Sequence, residues 1–79
     1  MIKENGFDII ISSDSQYNEL CAEIYYDREF VAIITQEQGI DRAIIEIEPR
    51  ENTSKWIFSY SEFIDVLRDG HDTLMKMKK

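Results

Sequence analysis

Residues 20–35, LCAEIYYDREFVAIIT, hold the reading of the fold. Leu20, Ala22, Ile24 and Tyr26 alternate with Cys21, Glu23 and Tyr25. Neighbouring side chains on a β-strand point to opposite faces, so this is a strand with one inner and one wet face. Asp27-Arg28-Glu29 leaves room only for a hairpin. Phe30-Val-Ala-Ile-Ile-Thr35 then runs apolar without alternation, as expected of a central strand with both faces covered.

Working outward, Phe7-Asp-Ile-Ile-Ile-Ser12 is a β-branched run and a predicted strand. Turn formers at 13–18 separate it from the hairpin. Downstream, Gln36-Glu-Gln-Gly39 predicts a turn with Gly39 at positive φ. Ala43, Ile45 and Ile47 alternate with Ile44, Glu46 and Glu48 in a further strand, which Pro49 stops because proline cannot donate to a ladder. After a polar loop at 50–54, Lys55-Trp-Ile-Phe58 predicts a short fifth strand.

Ser59-Tyr-Ser-Glu62 has the spacing of a capping box and opens the one clear helix, about 60–76. Tyr60, Phe63, Ile64, Leu67, Leu74 and Met75 fall on one face at helical spacing. Gly70 interrupts that stripe, either to let the helix approach the sheet or to end it. Strands first and helix last predict an α+β fold: a small antiparallel sheet of about four to five strands, built on the 20–35 hairpin, with one C-terminal helix on one face. Residues 1–79 are read as a single domain.

Totals narrow the function. With 43% hydrophobic residues and nine aromatics, the chain is composed to fold. Its one cysteine, Cys21, cannot form an internal disulfide. The N-terminal stretch is too short in its apolar run, and too polar, to read as a signal peptide. No run approaches a membrane span. A cytoplasmic location is expected. Net charge is −7, and between Glu4 and Glu48 eleven acids face only Arg28 and Arg42. Phosphates need a basic footprint, so nucleic acid is not expected as a direct ligand, whereas a basic partner is.

No catalytic constellation assembles, and the chain is not expected to be an enzyme. His71 is the only histidine and lies near the helix's apolar stripe. Cys21 reads as a small packing residue. Serines show no nucleophile elbow, and the three glycines are too isolated for a phosphate loop. One histidine and one cysteine cannot build a typical zinc site, and the acids lack calcium-loop spacing, so no metal or cofactor is expected. Asp65, Asp69 and Asp72 share a solvated helix face. A small enzyme using Cys21 or His71 ranks far behind the surface readings that follow.

What remains is surface. With Ala22 and Ile24 inside, Glu23 and Tyr25 face out, as do Glu46 and Glu48 if Ile45 and Ile47 are buried. Tyrosine gives a large contact area with few rotors and a polar tip, and acids around it steer a basic partner. The alternative is an ordinary polar outer face, where tyrosine is simply a good strand former. The candidate binding residues are Glu23, Tyr25, Asp27, Glu46 and Glu48, with Glu37 and Asp41 at the neighbouring turn.

The segment LCAEIYYDREFVAIITQEQGIDRAIIEIEP, residues 20–49, followed by an aromatic run and by EFIDVL at 62–67, resembles small immunity proteins of bacterial contact-dependent growth inhibition systems. The likeness runs from Phe7 to about Leu67, and its motifs are structural, not catalytic. It implies a cytoplasmic protein that binds the C-terminal toxin domain of a matching delivered protein and neutralises it. Many such toxins are nucleases, basic because they hold phosphate, and a basic ribonuclease is the expected partner. Interface residues do not carry over with the resemblance, because each immunity pair is specific. The alternative is an antitoxin-like or homodimerising interaction module, with FVAIIT meeting a second copy. A homodimer is possible on this reading but is not predicted.

Overall fold

A computed structural model describes residues 3–4, 6–13, 16–50 and 55–77. Five strands form one antiparallel sheet in chain order: β1 (Lys3–Glu4), β2 (Phe7–Ser12), β3 (Cys21–Tyr26), β4 (Glu29–Thr35) and β5 (Ile44–Ile47). A single 3₁₀ turn at Ile40–Arg42 precedes β5, and the helix α1 spans Tyr60–Met77. The architecture is α+β, with α1 laid across one face of the meander.

The hairpin joins β3 to β4 through two residues, Asp27 and Arg28, both at positive φ (50° and 72°). That left-handed pair matches the right-handed twist of the flanking strands. Just past the turn the register slips: Tyr25 pairs with Phe30, but Ile24 pairs with Ala32. Val31 is therefore the extra residue of a β-bulge. The bulge explains the missing alternation of FVAIIT. Val31 and Ala32 both reach the helix-side core, while Phe30 and Ile33 fall on the other face.

The core lies between the sheet and α1. Phe7, Ile9, Ala22, Ile24, Val31, Ala32, Ile34, Val66 and Leu74 are buried together. Full burial of a large apolar side chain contributes about 1.5–3 kcal/mol, so Phe7, Ile24, Val31, Val66 and Leu74 dominate. Phe7 also makes an aromatic hub, with ring centroids 4.9 Å from both Tyr26 and Phe58.

Helix α1 begins as the sequence predicts, although the Glu62 amide donates to Ser59 Oγ over a long 3.5 Å. Its buried line differs from the predicted stripe. Val66, Gly70 and Leu74 are buried, with Phe63 and Leu67 beside them, whereas Tyr60 is 82% exposed and Met75 48%. Gly70 sits inside the helix and marks a close approach to the sheet: a Cβ there would lie 3.2 Å from Ile34 Cδ1 and 3.4 Å from Ala22 Cβ. Of the two roles open for Gly70, contact with the sheet is the one it has. Gly39 takes the expected positive φ of 105°.

Residues 55–58 do not form the predicted fifth strand. They keep the alternation, with Trp56 and Phe58 half-buried and Ile57 78% exposed. Both edges of β4 are filled by β3 and β5, and although the outer edge of β5 is free among the described residues, the segment pairs with neither strand. It instead lays Trp56 and Phe58 in a stack (5.3 Å) over the rim of the core. The fifth strand of the sheet is β1, at the other end of the chain.

Candidate functional site

The helix covers only one face of the sheet, and the opposite face brings the central candidates together. Strand pairing sets Ile10, Glu23, Ile33 and Glu46 in one row across β2, β3, β4 and β5. The next row towards the hairpin holds Asp8, Tyr25 and Phe30. Adjacent strands lie about 4.8 Å apart, so Glu23 and Glu46 are separated by about 10 Å of sheet.

Glu23 is held from two sides. Ser12 Oγ donates to its Oε2 at 2.8 Å, and the Tyr25 hydroxyl donates to its Oε1 at 2.9 Å. The Tyr25 ring meets Phe30 edge-on, with centroids 5.5 Å apart. Both ends of Tyr25 are thus positioned before any partner arrives, which lowers the entropy lost on binding. Burial raises the Tyr25 phenol above its ordinary pKa, and the Glu23 carboxylate adds to the rise through its hydrogen bond and its charge. The phenol therefore stays a donor well beyond neutral pH. Ile10, 41% exposed, adds apolar surface beside this pair.

The other predicted residues lie around this patch. Asp27 is exposed at the hairpin tip, and Glu48 follows the end of β5 at the same end of the sheet. There Arg28, Glu29, Phe30, Glu48, Pro49 and Trp56 line a cleft of about 410 Å³. Arg50 crosses towards it, its guanidinium 4.8 Å from the Trp56 ring and 3.5 Å from Glu29 Oε1. The cleft was not legible in the sequence, because its walls come from the hairpin, from Glu48 and Pro49 past β5, and from Trp56 still further along the chain.

Glu37 and Asp41 lie at the opposite end of the sheet, apart from Tyr25. Glu37 accepts hydrogen bonds from the Asn18 and Glu19 amides at 3.1 and 2.9 Å, and so ties two loops together. Asp41 is exposed in the 3₁₀ turn. Cys21 shares the face of Glu23 but is fully buried, with its Sγ 3.5 Å from the Glu19 carbonyl oxygen. His71 Nε2 lies 3.0 Å from the Ile40 carbonyl oxygen, linking α1 to the 3₁₀ turn. Ile45 and Ile47, expected inside, are 39% and 57% exposed because α1 runs over β2 and β3 and stops short of β5.

Among the described residues no group of three or more acidic, histidine or cysteine side chains is placed to hold a metal, and no helix is long and apolar enough to cross a membrane. Compared with protein-family models, curated proteins and solved structures, the chain matches none.

Proposed function

We propose that this chain is an immunity protein, a stoichiometric inhibitor that binds a basic bacterial toxin domain in the cytoplasm. The observation that carries this reading is the preset Ser12–Glu23–Tyr25 arrangement on the open sheet face. It offers an aromatic anchor and a fixed carboxylate, with Phe30 and Ile10 beside them and Glu46 along the row. Aromatic anchors held in place are the residues that dominate interface energetics, and surrounding acids raise the association rate with a basic partner. The net charge of −7 gives the long-range part of that attraction. The resemblance of residues 20–49 to immunity proteins points to a toxin as the partner. A ribonuclease, which must hold phosphate on a basic surface, is the class that this charge would compete for best.

The test uses the product of the adjacent gene, which this reading expects to end in a toxin domain. Co-expression should protect cells, and the purified pair should form a one-to-one complex. Tyr25→Ala should weaken that complex about thirtyfold or more, the effect of losing a hot-spot side chain, mainly through faster dissociation. Glu46→Lys should slow association and flatten its salt dependence. Cell killing despite the protein would overturn the function. Unchanged affinity for a Tyr25→Ala, Glu23→Lys double variant would overturn the site.

A further inference from the structure

β5 is one edge of the sheet, a short strand whose single charge, Glu46, is flanked by exposed isoleucines. Among the described residues nothing pairs with its outer side. It contains no proline and no lysine, and Ile44, Ile45 and Ile47 are 48%, 39% and 57% exposed. Natural edges are normally blunted by charge, proline or a covering loop, because unpaired backbone groups template another strand.

The backbone direction follows from one bond. Glu48 N donates to the Val31 carbonyl at 2.8 Å, inward to β4. Peptide groups alternate along an antiparallel strand, so Glu46 and Ile44 also turn theirs towards β4. Ile45 and Ile47 therefore turn their N–H and C=O groups outward. The side chains divide the same way. Ile45 and Ile47 lie on the helix side, each beside an apolar recess. One, of about 190 Å³, is lined by Ile34, Ala43, Leu67 and His71 as well as Ile44 and Ile45. The other, of about 360 Å³, is lined by Ile47, Trp56, Phe58, Tyr60 and Phe63. Glu46 lies on the opposite face, with Glu48 beyond it.

We infer that β5 is a strand-addition site for an extended segment of a protein partner, alternating apolar and basic residues. Its main chain pairs with Ile45 and Ile47. Its apolar side chains fill the two recesses, and its Lys or Arg side chains lie against Glu46 and Glu48. A second copy of this chain is the poorer occupant. Antiparallel pairing of two β5 strands centred on Glu46 sets Glu46 against its own copy, centring on Ile47 sets it against Glu48, and only centring on Ile45, with Glu46 opposite Ile44, avoids a like-charge pair. Like charges directly opposite destabilise a sheet, and a charge of −7 on each copy adds to the repulsion. The inference rests on the proposed binding of a basic protein and assigns it a second contact, distinct from Tyr25.

The probe is a synthetic heptapeptide alternating lysine and valine, with a version N-methylated at alternate amides and a version with glutamate for lysine. Trp56 is the only tryptophan and lines one recess as well as the hairpin cleft, so its fluorescence reports binding and hydrogen exchange locates it. The lysine peptide should change that fluorescence and slow amide hydrogen exchange at Ile45 and Ile47. N-methylation, glutamate, or Ile45→Pro in the protein should each weaken binding at least tenfold. The proline removes an outward N–H without touching the β4 ladder but also trims the Ile45 wall of the recess, so the N-methyl peptide makes the backbone test on unaltered protein. Equal binding by the N-methylated peptide, or no protection at Ile45 and Ile47, would overturn strand addition. A concentration-dependent dimer of the protein alone, with those amides protected, would overturn the choice of occupant. A toxin complex that leaves them unprotected would overturn this edge and leave the immunity reading standing. Peptide binding with no toxin complex would do the reverse.

Discussion

Replacing Arg28 with glycine should make this protein more stable. Arg28 holds φ 72° as the second residue of the two-residue hairpin turn, and Asp27 holds φ 50°. The left-handed region costs an L-residue about 1–2 kcal/mol, less for Asp, whose short side chain can bond locally, and almost nothing for Gly. Glycine returns part of the gain, about 0.4–1 kcal/mol, by adding freedom to the unfolded chain. Arg28 is exposed, and among the described residues its side chain makes no hydrogen bond or ion pair that would be lost. The net expectation is about 0.5–1 kcal/mol of added stability, or about 2–8 °C in Tm for a domain of this size. Thermal unfolding followed by far-UV circular dichroism and Trp56 fluorescence reads this directly. In urea the midpoint should rise with the m-value unchanged. Asp27→Gly should gain less. A Tm that falls, or does not move, for Arg28→Gly would show that the turn is not left-handed at that residue.

Two further substitutions and a titration test the rest of the frame. Gly70→Ala should be close to neutral, because about 1 kcal/mol of helix propensity is offset by crowding against the buried Ile34, whose Cδ1 must yield a few tenths of an ångström. Gly70→Leu should cost about 3 kcal/mol or more, with a urea midpoint lowered to match, since the sheet leaves no room for it. The Tyr25 phenol should ionise later than a free tyrosine in an ultraviolet difference titration, and Glu23→Gln should bring it part of the way back. The folded state holds that proton more tightly than the unfolded state. Its contribution to stability is therefore complete below about pH 10 and is lost as pH rises through the folded pKa.

Local chemistry accounts for most of what the sequence reveals. The 20–26 alternation, the three-residue gap, Pro49 and the Ser59 cap each act within a few residues, and each element they announce is present. Tyr25 and Glu23 were legible for the same reason: a period of two assigns a face without knowledge of what covers it. The misreadings all involve partners distant in the chain. Trp56-Ile-Phe58 alternates like a strand, but that alternation stacks Trp56 and Phe58 over the rim of the core and leaves the outer edge of β5 unpaired among the described residues. Tyr60 and Met75 have helical spacing with the core residues, but the crossing at Gly70 leaves them outside. Ile45 and Ile47 alternate as core residues should, yet the helix does not reach β5.

The sequence by itself determined the α+β order, the hairpin, the acidic character and the pairing of Tyr25 with Glu23 on one face, because propensity, period and charge are properties of neighbouring residues. Tertiary structure decided the rest. It placed the bulge at Val31, fixed Glu23 between Ser12 and Tyr25, and swung the helix over β2 and β3. That last choice left Ile45 and Ile47 of β5 exposed to solvent. The position of the helix is set by residues far apart in the chain: Val66 and Leu74 pack into the core, and Gly70 fits where a side chain would meet Ile34 and Ala22.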